Sequence, residues 1–416
     1  MKKLKVLFLI SMMTCIYPIS VYLLNSSYNL TVFGKPADTV FSTSSFNYTD
    51  PGMEMKWDLY TVGADIAHSM GVNGTNRTVP YNDPIIVAII DTGVDLDHED
   101  LQANILPNTG WDFVDDDPIP NDENGHGTHC AGLVAAVFNN SKGVSGIAPC
   151  AKIIPFRVLD EEGSGEIADV TNAINMIVAD YNPKHNQTYG VDIISMSLGA
   201  GYITGTEEND LQDAIDAAVA DDIIILAAAG NEDGPVLYPA RMDGVLGIAA
   251  TNVEQDKASY SNYGPQVDYA APGGDWHFFG FVFVGVLSTW PNNRYEYAAG
   301  TSMATPVAAG VVALLLGNKT APADIETELR ARAKDLGTSG PDFEFGWGMV
   351  RIVANNWDYD AWYHKHYDDD ILMTLIMLFW DSLAPKPQID WVTWAIIGGV
   401  LVFFAVIAIY EASAKK

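Results

Sequence analysis

Between residues 85 and 250 the chain alternates short apolar runs with longer stretches whose apolar positions recur every three or four residues. The runs "IIVAII" (85–90), "KIIPFRVL" (152–159), "VDIISMSL" (191–198), "IIILAAA" (223–229) and "GVLGIAA" (244–250) have strand length and few polar positions. That pattern predicts strands buried on both faces. The stretches "ADVTNAINMIVADY" (168–181) and "NDLQDAIDAAVADD" (209–222) gather their apolar residues on one helical face. Strand, helix, strand in succession predicts an α/β fold with a mainly parallel central sheet between helical layers. Ligands of such sheets sit beyond the carboxyl ends of the strands, and Asp91 and Asn231 fall at or just after two of those ends.

Two further apolar runs lie near the termini. Val6 to Leu24 is a 19-residue uncharged run behind "MKKLK", interrupted by Pro18, and reads as a signal peptide or signal anchor over 1–24. Residues 391–410, "WVTWAIIGGVLVFFAVIAIY", give 20 uncharged positions, enough to cross about 30 Å of hydrocarbon. Trp391, Trp394 and Tyr410 suit the interfaces, and Lys415 and Lys416 place the tail 411–416 inside the cell. This predicts a C-terminal transmembrane helix, single-pass or, with an uncleaved leader, two-pass, and an extracytoplasmic domain between the two segments. Residues 25–53 read as a Ser-, Thr- and Asn-rich spacer, 54–357 as the globular domain, and 358–390 as a polar, aromatic juxtamembrane linker. The spacer is shorter than the roughly 40 residues at which a chain without disulfides or metal forms its own core. Asn-x-Ser/Thr triplets at Asn25, Asn29, Asn47, Asn73, Asn76, Asn139, Asn186 and Asn318 fit an outward placement.

Charge narrows the function. Lys and Arg number 22 against 53 Asp and Glu, a net −31 that repels phosphate backbones and argues against nucleic-acid binding. Of three cysteines, Cys15 lies in the apolar leader, so Cys130 and Cys150 are the only possible internal pair.

The stretch "NGHGTHCAG" (124–132) sets His126 and His129 on one helical face, a spacing equally suited to two zinc ligands or two core residues. No third ligand stands at recognisable spacing, which disfavours zinc. Downstream, "AAGTSMATPVAAGVVALLL" puts Ser302 in a turn that opens a long apolar helix. An aspartate closing a strand, a histidine opening a helix and a serine opening another follow the chain order of the subtilisin triad. The three are Asp91, His126 and Ser302.

From about Trp57 to Trp357 the chain resembles the subtilisin-like serine proteases, the subtilases. The resemblance is carried by "AIIDTGVDLDHEDL" (88–101), "NGHGTHCAG", "ISMSLGA" (194–200), "AAAGNEDG" (227–234), "ASYSNYGP" (258–265), "YAAPGG" (269–274), "GTSMATP" (300–306) and "FGWGMV" (345–350), in the family's order. It implies a three-layer fold and a serine endopeptidase acting on peptides or proteins. Asp91, His126 and Ser302 would form the triad, with Asn231 in the oxyanion hole; the second histidine, His129, would be structural. Ser197, Leu198 and Gly199, with Gly163, Ser164 and Gly165, would flank an extended substrate peptide. Gly230 would wall the primary pocket, Glu232 at its rim would favour basic side chains, and Leu237 would take the place of a floor glycine. Asp100 and Asn140 would hold a structural calcium, and Cys130 would be the buried thiol of the proteinase K-like branch. The alternative is a catalytically silent relative serving as a peptide-binding or surface scaffold. The aromatic stretch 275–290 is longer than the family usually has there and predicts an added hairpin packed on the domain.

Overall fold

The structure is a computed structural model that describes residues 47–75, 84–182, 190–277 and 282–353, all within one compact unit spanning 42–359. The leader 1–24, most of the spacer, the linker from 358 and the segment 391–410 lie outside the described residues. Among the described residues no helix is long and apolar enough to cross a membrane.

In chain order the elements are helices α1 (Trp57–Thr61) and α2 (Ala64–Ser69), strands β1 (Ile86–Asp91) and β2 (Trp111–Asp112), α3 (His126–Ala135), β3 (Lys152–Arg157), α4 (Ile167–Asp180), β4 (Ile193–Met196), α5 (Gly205–Ala220), β5 (Ile224–Ala228), β6 (Val245–Thr251) and β7 (Tyr269–Pro272). Two hairpins follow, β8 (Asp275–His277) with β9 (Val282–Val284) and β10 (Val286–Trp290) with β11 (Arg294–Ala298), then α6 (Thr301–Gly317) and α7 (Ile325–Arg332). Strands one to seven form a single parallel sheet in the order β2-β3-β1-β4-β5-β6-β7.

The five predicted strands and both predicted helices are present. Every residue of β1 is buried, because helices cover both faces and no position can be polar. Ile86, Ala88 and Ile90 pack with Val170, Ile174 and Leu211 of α4 and α5; α3 and α6 lie on the opposite side. Helix α5 begins four residues before the predicted stretch. Thr204 accepts from the Glu207 N–H while the Glu207 side chain takes the Thr204 N–H, a reciprocal cap that starts the helix in polar sequence. Helix α6 is buried at every position except Ser302, so it runs through the core with apolar residues all round.

The strand order reverses at β1, with β3 on one side and β4 on the other, which opens a crevice at their carboxyl ends. The added stretch 275–290 forms the predicted packing: it contributes β8, β9 and β10, and Val284, Val286 and Leu287 are buried.

The expected boundary after Met53 moves toward the N-terminus. Asp50 and Met53 are buried in the domain. Asp50 accepts the backbone N–H groups of Asn139 and Ser141 at 2.6 and 3.0 Å, and the Gly52 N–H reaches Gly143 O at 2.7 Å. Residues 47–53 are therefore part of the folded unit; their polar composition conceals contacts made about 90 positions away.

Candidate active site

Asp91 ends β1 fully buried, at the crevice. Its Oδ1 accepts the Thr92 N–H at 2.8 Å and lies 2.7 Å from His126 Nδ1. Helix α3 approaches this strand end closely because Gly127 has no side chain. A β-carbon there would sit 2.0 Å from Gly93 O and 3.1 Å from Asp91 Cβ. The start of α3 is held by Asp122, whose two oxygens accept from the N–H groups of Asn124, Gly125 and Thr128 and from the hydroxyls of Thr92 and Thr128. Sequence reasoning missed Asp122; its signal was an aspartate standing four residues before the helix's first histidine.

His126 keeps 29% of its side chain exposed, so one ring edge faces the crevice. Burial is the largest single influence and opposes its positive charge, but electrostatic and hydrogen-bonding interactions with Asp91 and Cys130 together outweigh it and hold its pKa well above the ordinary histidine value. The buried Cys130 thiol lies 4.0 Å from His126 Nδ1, and burial raises its own pKa, so it stays a neutral thiol near neutral pH. Asp91, His126 and Cys130 are three metal-ligand types within 4.8 Å of one another, a grouping that sequence spacing did not show. The direct hydrogen bond between Asp91 and His126 occupies the space between the first two.

Ser302 opens α6. Pro306, four residues on, has no N–H, so Ser302 O lacks its helical partner and accepts instead from Ser197 Oγ at 2.7 Å and Cys130 Sγ at 3.6 Å. The serine is thereby tied both to the strand end after β4 and to the helix of His126. Its own Oγ donates to Ser197 O at 3.1 Å.

Asn231 follows β5. Its Oδ1 accepts from the Thr301 N–H at 2.8 Å and from Thr301 Oγ1 at 3.0 Å, which fixes the amide so that Nδ2 is the free end. Nδ2 and the Ser302 N both lie beside Gly300: a β-carbon placed there would be 3.4 and 3.5 Å from the two nitrogens. Such a pair of donors can stabilise negative charge on an oxygen bonded next to Ser302 Oγ.

The remaining expected residues divide. Ser197, Leu198 and Gly199 continue from β4 beside Ser302. Gly163, Ser164 and Gly165 lie in an exposed turn, held by Asp160 and joined to the catalytic side through Asn124 Nδ2, which donates to Glu161 O at 2.8 Å. Glu232 is exposed, with one carboxylate oxygen turned inward. Its Oε2 folds back to accept from the Asn231 N–H and from Asn262 Nδ2, beside Gly230. His129 is buried; Nε2 meets Val286 O and Glu296 O, and burial pushes its pKa down to about 3, so it is a neutral structural residue. Cys130 and Cys150 are both free thiols.

Asp100 and Asn140 come together, with Asn140 Nδ2 donating to Asp100 Oδ1 at 2.6 Å. Burial, joined by the charge of Asp50, pushes the Asp100 pKa up to about 6. Asp50 and Asp100 both accept N–H groups from the 138–144 loop, and carboxylate and amide oxygens are hard donors of the kind calcium takes.

Residues 82–348 match the model of the subtilase family. Thermitase of Thermoactinomyces vulgaris is 41% identical over 270 residues, covering 64% of this chain and 86% of that protein. Subtilisin E of Bacillus subtilis is 35% identical, covering 70% of this chain and 69% of that one. Among solved structures, a lanthipeptide protease superposes with a TM-score of 0.63 at 25% identity, over 74% of this chain and 98% of its own. A match to most of the folded unit, on a parallel sheet with aspartate, histidine and serine gathered at one crevice, leaves one assignment: the chain belongs to the subtilase family and is a subtilisin-like serine endopeptidase.

Proposed function

We propose that Ser302 is the nucleophile, His126 its general base and then general acid, and Asp91 the group that orients the imidazole and stabilises its charged form. The observation that carries this reading is the 2.7 Å contact between His126 Nδ1 and a fully buried Asp91, beside a serine whose backbone is bonded to the same helix through Cys130. Ser302 is a weak nucleophile until its proton leaves. Rotation of its side chain from Ser197 O toward the exposed edge of His126 lets the imidazole take that proton as Oγ attacks a peptide carbonyl. Asn231 Nδ2 and the Ser302 N–H meet the developing oxyanion. The imidazolium, favoured by Asp91, then returns the proton to the departing amine, and water resolves the acyl-enzyme by the same steps in reverse. An extended peptide would lie along Ser197 to Gly199 and Gly163 to Gly165, read mostly through its backbone.

Calcium, with Asp100, Asp50 and Asn140 among its holders, would neutralise the buried carboxylates of Asp50 and Asp100, which accept N–H groups from the 138–144 loop, and stiffen that loop. The apolar run 391–410 supports a membrane tether with the catalytic domain outside, and that of 6–24 a leader or second anchor. A mercurial on Cys130 would displace His126, 4.0 Å away, and disturb the contact with Ser302 O, while leaving the Ser302 hydroxyl unmodified, as in a proteinase K-like thiol site. Inhibition by such a reagent should be lost in Cys130→Ser.

Fluorophosphonate labelling separates an enzyme from a silent scaffold. The wild-type protein should take up label on Ser302 and the Ser302→Ala variant should not. A folded wild-type protein that stays unlabelled would favour the scaffold.

A further inference from the structure

We propose that this protease cleaves after small, uncharged residues, because Leu237 fills the space into which the side chain on the acyl side of the scissile bond must point. The inference rests on the nucleophile and oxyanion assignments above and names the substrate class they serve.

The geometry follows from the two fixed points. With the carbonyl carbon at Ser302 Oγ and its oxygen toward Asn231 Nδ2, the adjoining substrate residue lies between the chain leaving β4, Ser197 to Gly199, and the chain leaving β5, Ala228 to Asn231. Pairing of these two strands stops at Met196 and Ala227, so a side chain could enter the opening beyond. The segment Leu237–Tyr238 is laid across that opening. The Leu237 N–H donates to Ala229 O at 3.0 Å, and Tyr238 exchanges both backbone hydrogen bonds with Ala200, at 2.8 and 3.0 Å. Anchored on both flanks, the backbone at Leu237 cannot move aside without breaking these bonds.

Its side chain touches both walls. A β-carbon on Gly199 would come within 2.9 Å of Leu237 Cδ1, and one on Gly230 within 2.7 Å of Leu237 Cγ. The walls are glycine and the leucine already occupies the volume that their missing side chains leave. Leu237 stays half-buried, so its remaining face forms an apolar floor close beneath the crevice. An alanine or serine side chain fits above such a floor; an aromatic or long basic one meets the isobutyl group. Glu232 Oε2 is turned toward the protein, where it accepts two N–H donors. A long basic side chain still has to pass the Leu237 isobutyl group, whatever charge Glu232 offers at the rim.

The test uses the full chain and tetrapeptide p-nitroanilides identical except for a last residue of Ala, Phe or Lys. The wild-type enzyme should show kcat/KM for Ala at least about 10-fold above Phe and Lys, since a mismatch of a few methylenes in an apolar pocket is worth 10- to 200-fold. Leu237→Gly should raise the Phe-to-Ala ratio by about 100-fold and Leu237→Ala by a smaller factor. Fluorophosphonate uptake on Ser302 checks that each variant is folded and competent. Wild-type enzyme that labels yet cleaves after Phe or Lys as well as after Ala overturns the proposal. So does a Phe-to-Ala ratio that stays at the wild-type value in competent Leu237 variants. Absence of label in the wild type would instead refute the catalytic assignment, and this inference with it.

Discussion

The two flanks of α3 are built on different principles. On one side is the sheet, where Asp91, Ser197 and Asn231 stand at or just past the ends of neighbouring parallel strands, placed by register and apolar packing and trimmed by hydrogen bonds at the site. On the other side α3 is held by polar contacts from distant segments. Ser288 and Thr289 of β10 donate to the carbonyls of His129 and Thr128, and His129 reaches Val286 O and Glu296 O. Behind β10, Lys56 and Asp58 form an ion pair at 2.8 Å with neither side chain exposed, and Lys56 also donates to Leu287 O. Trp57 Nε1 adds a bond to Gly285 O. Chemistry thus resides on the apolar side, and the helix that delivers His126 is steadied from the polar side. Substitutions of the catalytic side chains at the sheet's carboxyl end should cost turnover without stability, and substitutions on the polar side should cost stability first.

The largest expected effect is Asp91→Asn. The amide keeps the shape but holds the wrong tautomer of His126 and cannot stabilise the imidazolium, so kcat should fall by about 10⁴ with little change in Tm. Because Asp91 raises the His126 pKa, the residual activity should also lose its low-pH limb toward lower pH. Turnover measured between pH 5 and 9 checks both; an unchanged acid limb would mean that another group supplies the shift.

Next is the buried pair. Lys56→Met leaves Asp58 buried and unpaired, and Asp58 Oδ1 already has no hydrogen-bond partner. Loss of about 3 to 5 kcal/mol is expected in denaturant unfolding. The double variant Lys56→Met with Asp58→Leu should recover most of it. If the double variant is as unstable as the single one, the polar side does not act through this pair and the contrast weakens.

How much of each side could be read in the sequence follows from the same division. The sheet was legible because strands covered on both faces must be continuously apolar, and Asp91 and Asn231 stood where those runs stop. Ser302 and His126 were legible through local motifs at helix starts. The polar side left no such trace. Lys56 meets Leu287 across 231 positions and Asp50 meets Ser141 across 91, and nothing near either residue signals its partner. Composition even misled, since a Ser-, Thr- and Asn-rich stretch looked like a spacer up to Met53 while its last residues were structural. The inward turn of Glu232 Oε2 was not legible either, because it depends on Asn262, 30 residues on.

A smaller effect comes from shortening the chain. A protein of residues 54–357 lacks Asp50 and Met53, and one of residues 47–357 keeps them. Hydrogen bonds to a charged acceptor contribute about 1.5 to 3 kcal/mol, so the longer form should be more stable by roughly 2 to 3 kcal/mol in calcium-containing buffer. Equal midpoints for the two would return the boundary to residue 53 and reduce the polar side to the Lys56 pair.

The smallest effect probes the apolar side alone, far from the chemistry. Asp192 stands just before β4, at the opposite end of the sheet from Ser197, and its carboxylate accepts the Ile86 N–H at 2.9 Å. Burial pushes its pKa up to about 6, and burial does the same to Asp268, which accepts from the Gly247 N–H. A folded-state pKa above the ordinary 3.8 means that the folded protein binds these protons more tightly than the unfolded chain. Their contribution to stability is complete below about pH 4 and is lost as pH rises through 6. Asp192→Asn keeps an oxygen for Ile86 but cannot titrate, so the difference in Tm between variant and wild type should grow in the variant's favour from pH 5 to pH 7, at fixed saturating calcium. The pH dependence of kcat should be unchanged, because His126 and Asp91 are at the other end of the strands. A variant whose Tm tracks the wild type in parallel across that range would show that Asp192 is ionised at no cost, and that the apolar side tolerates charge as readily as the polar one.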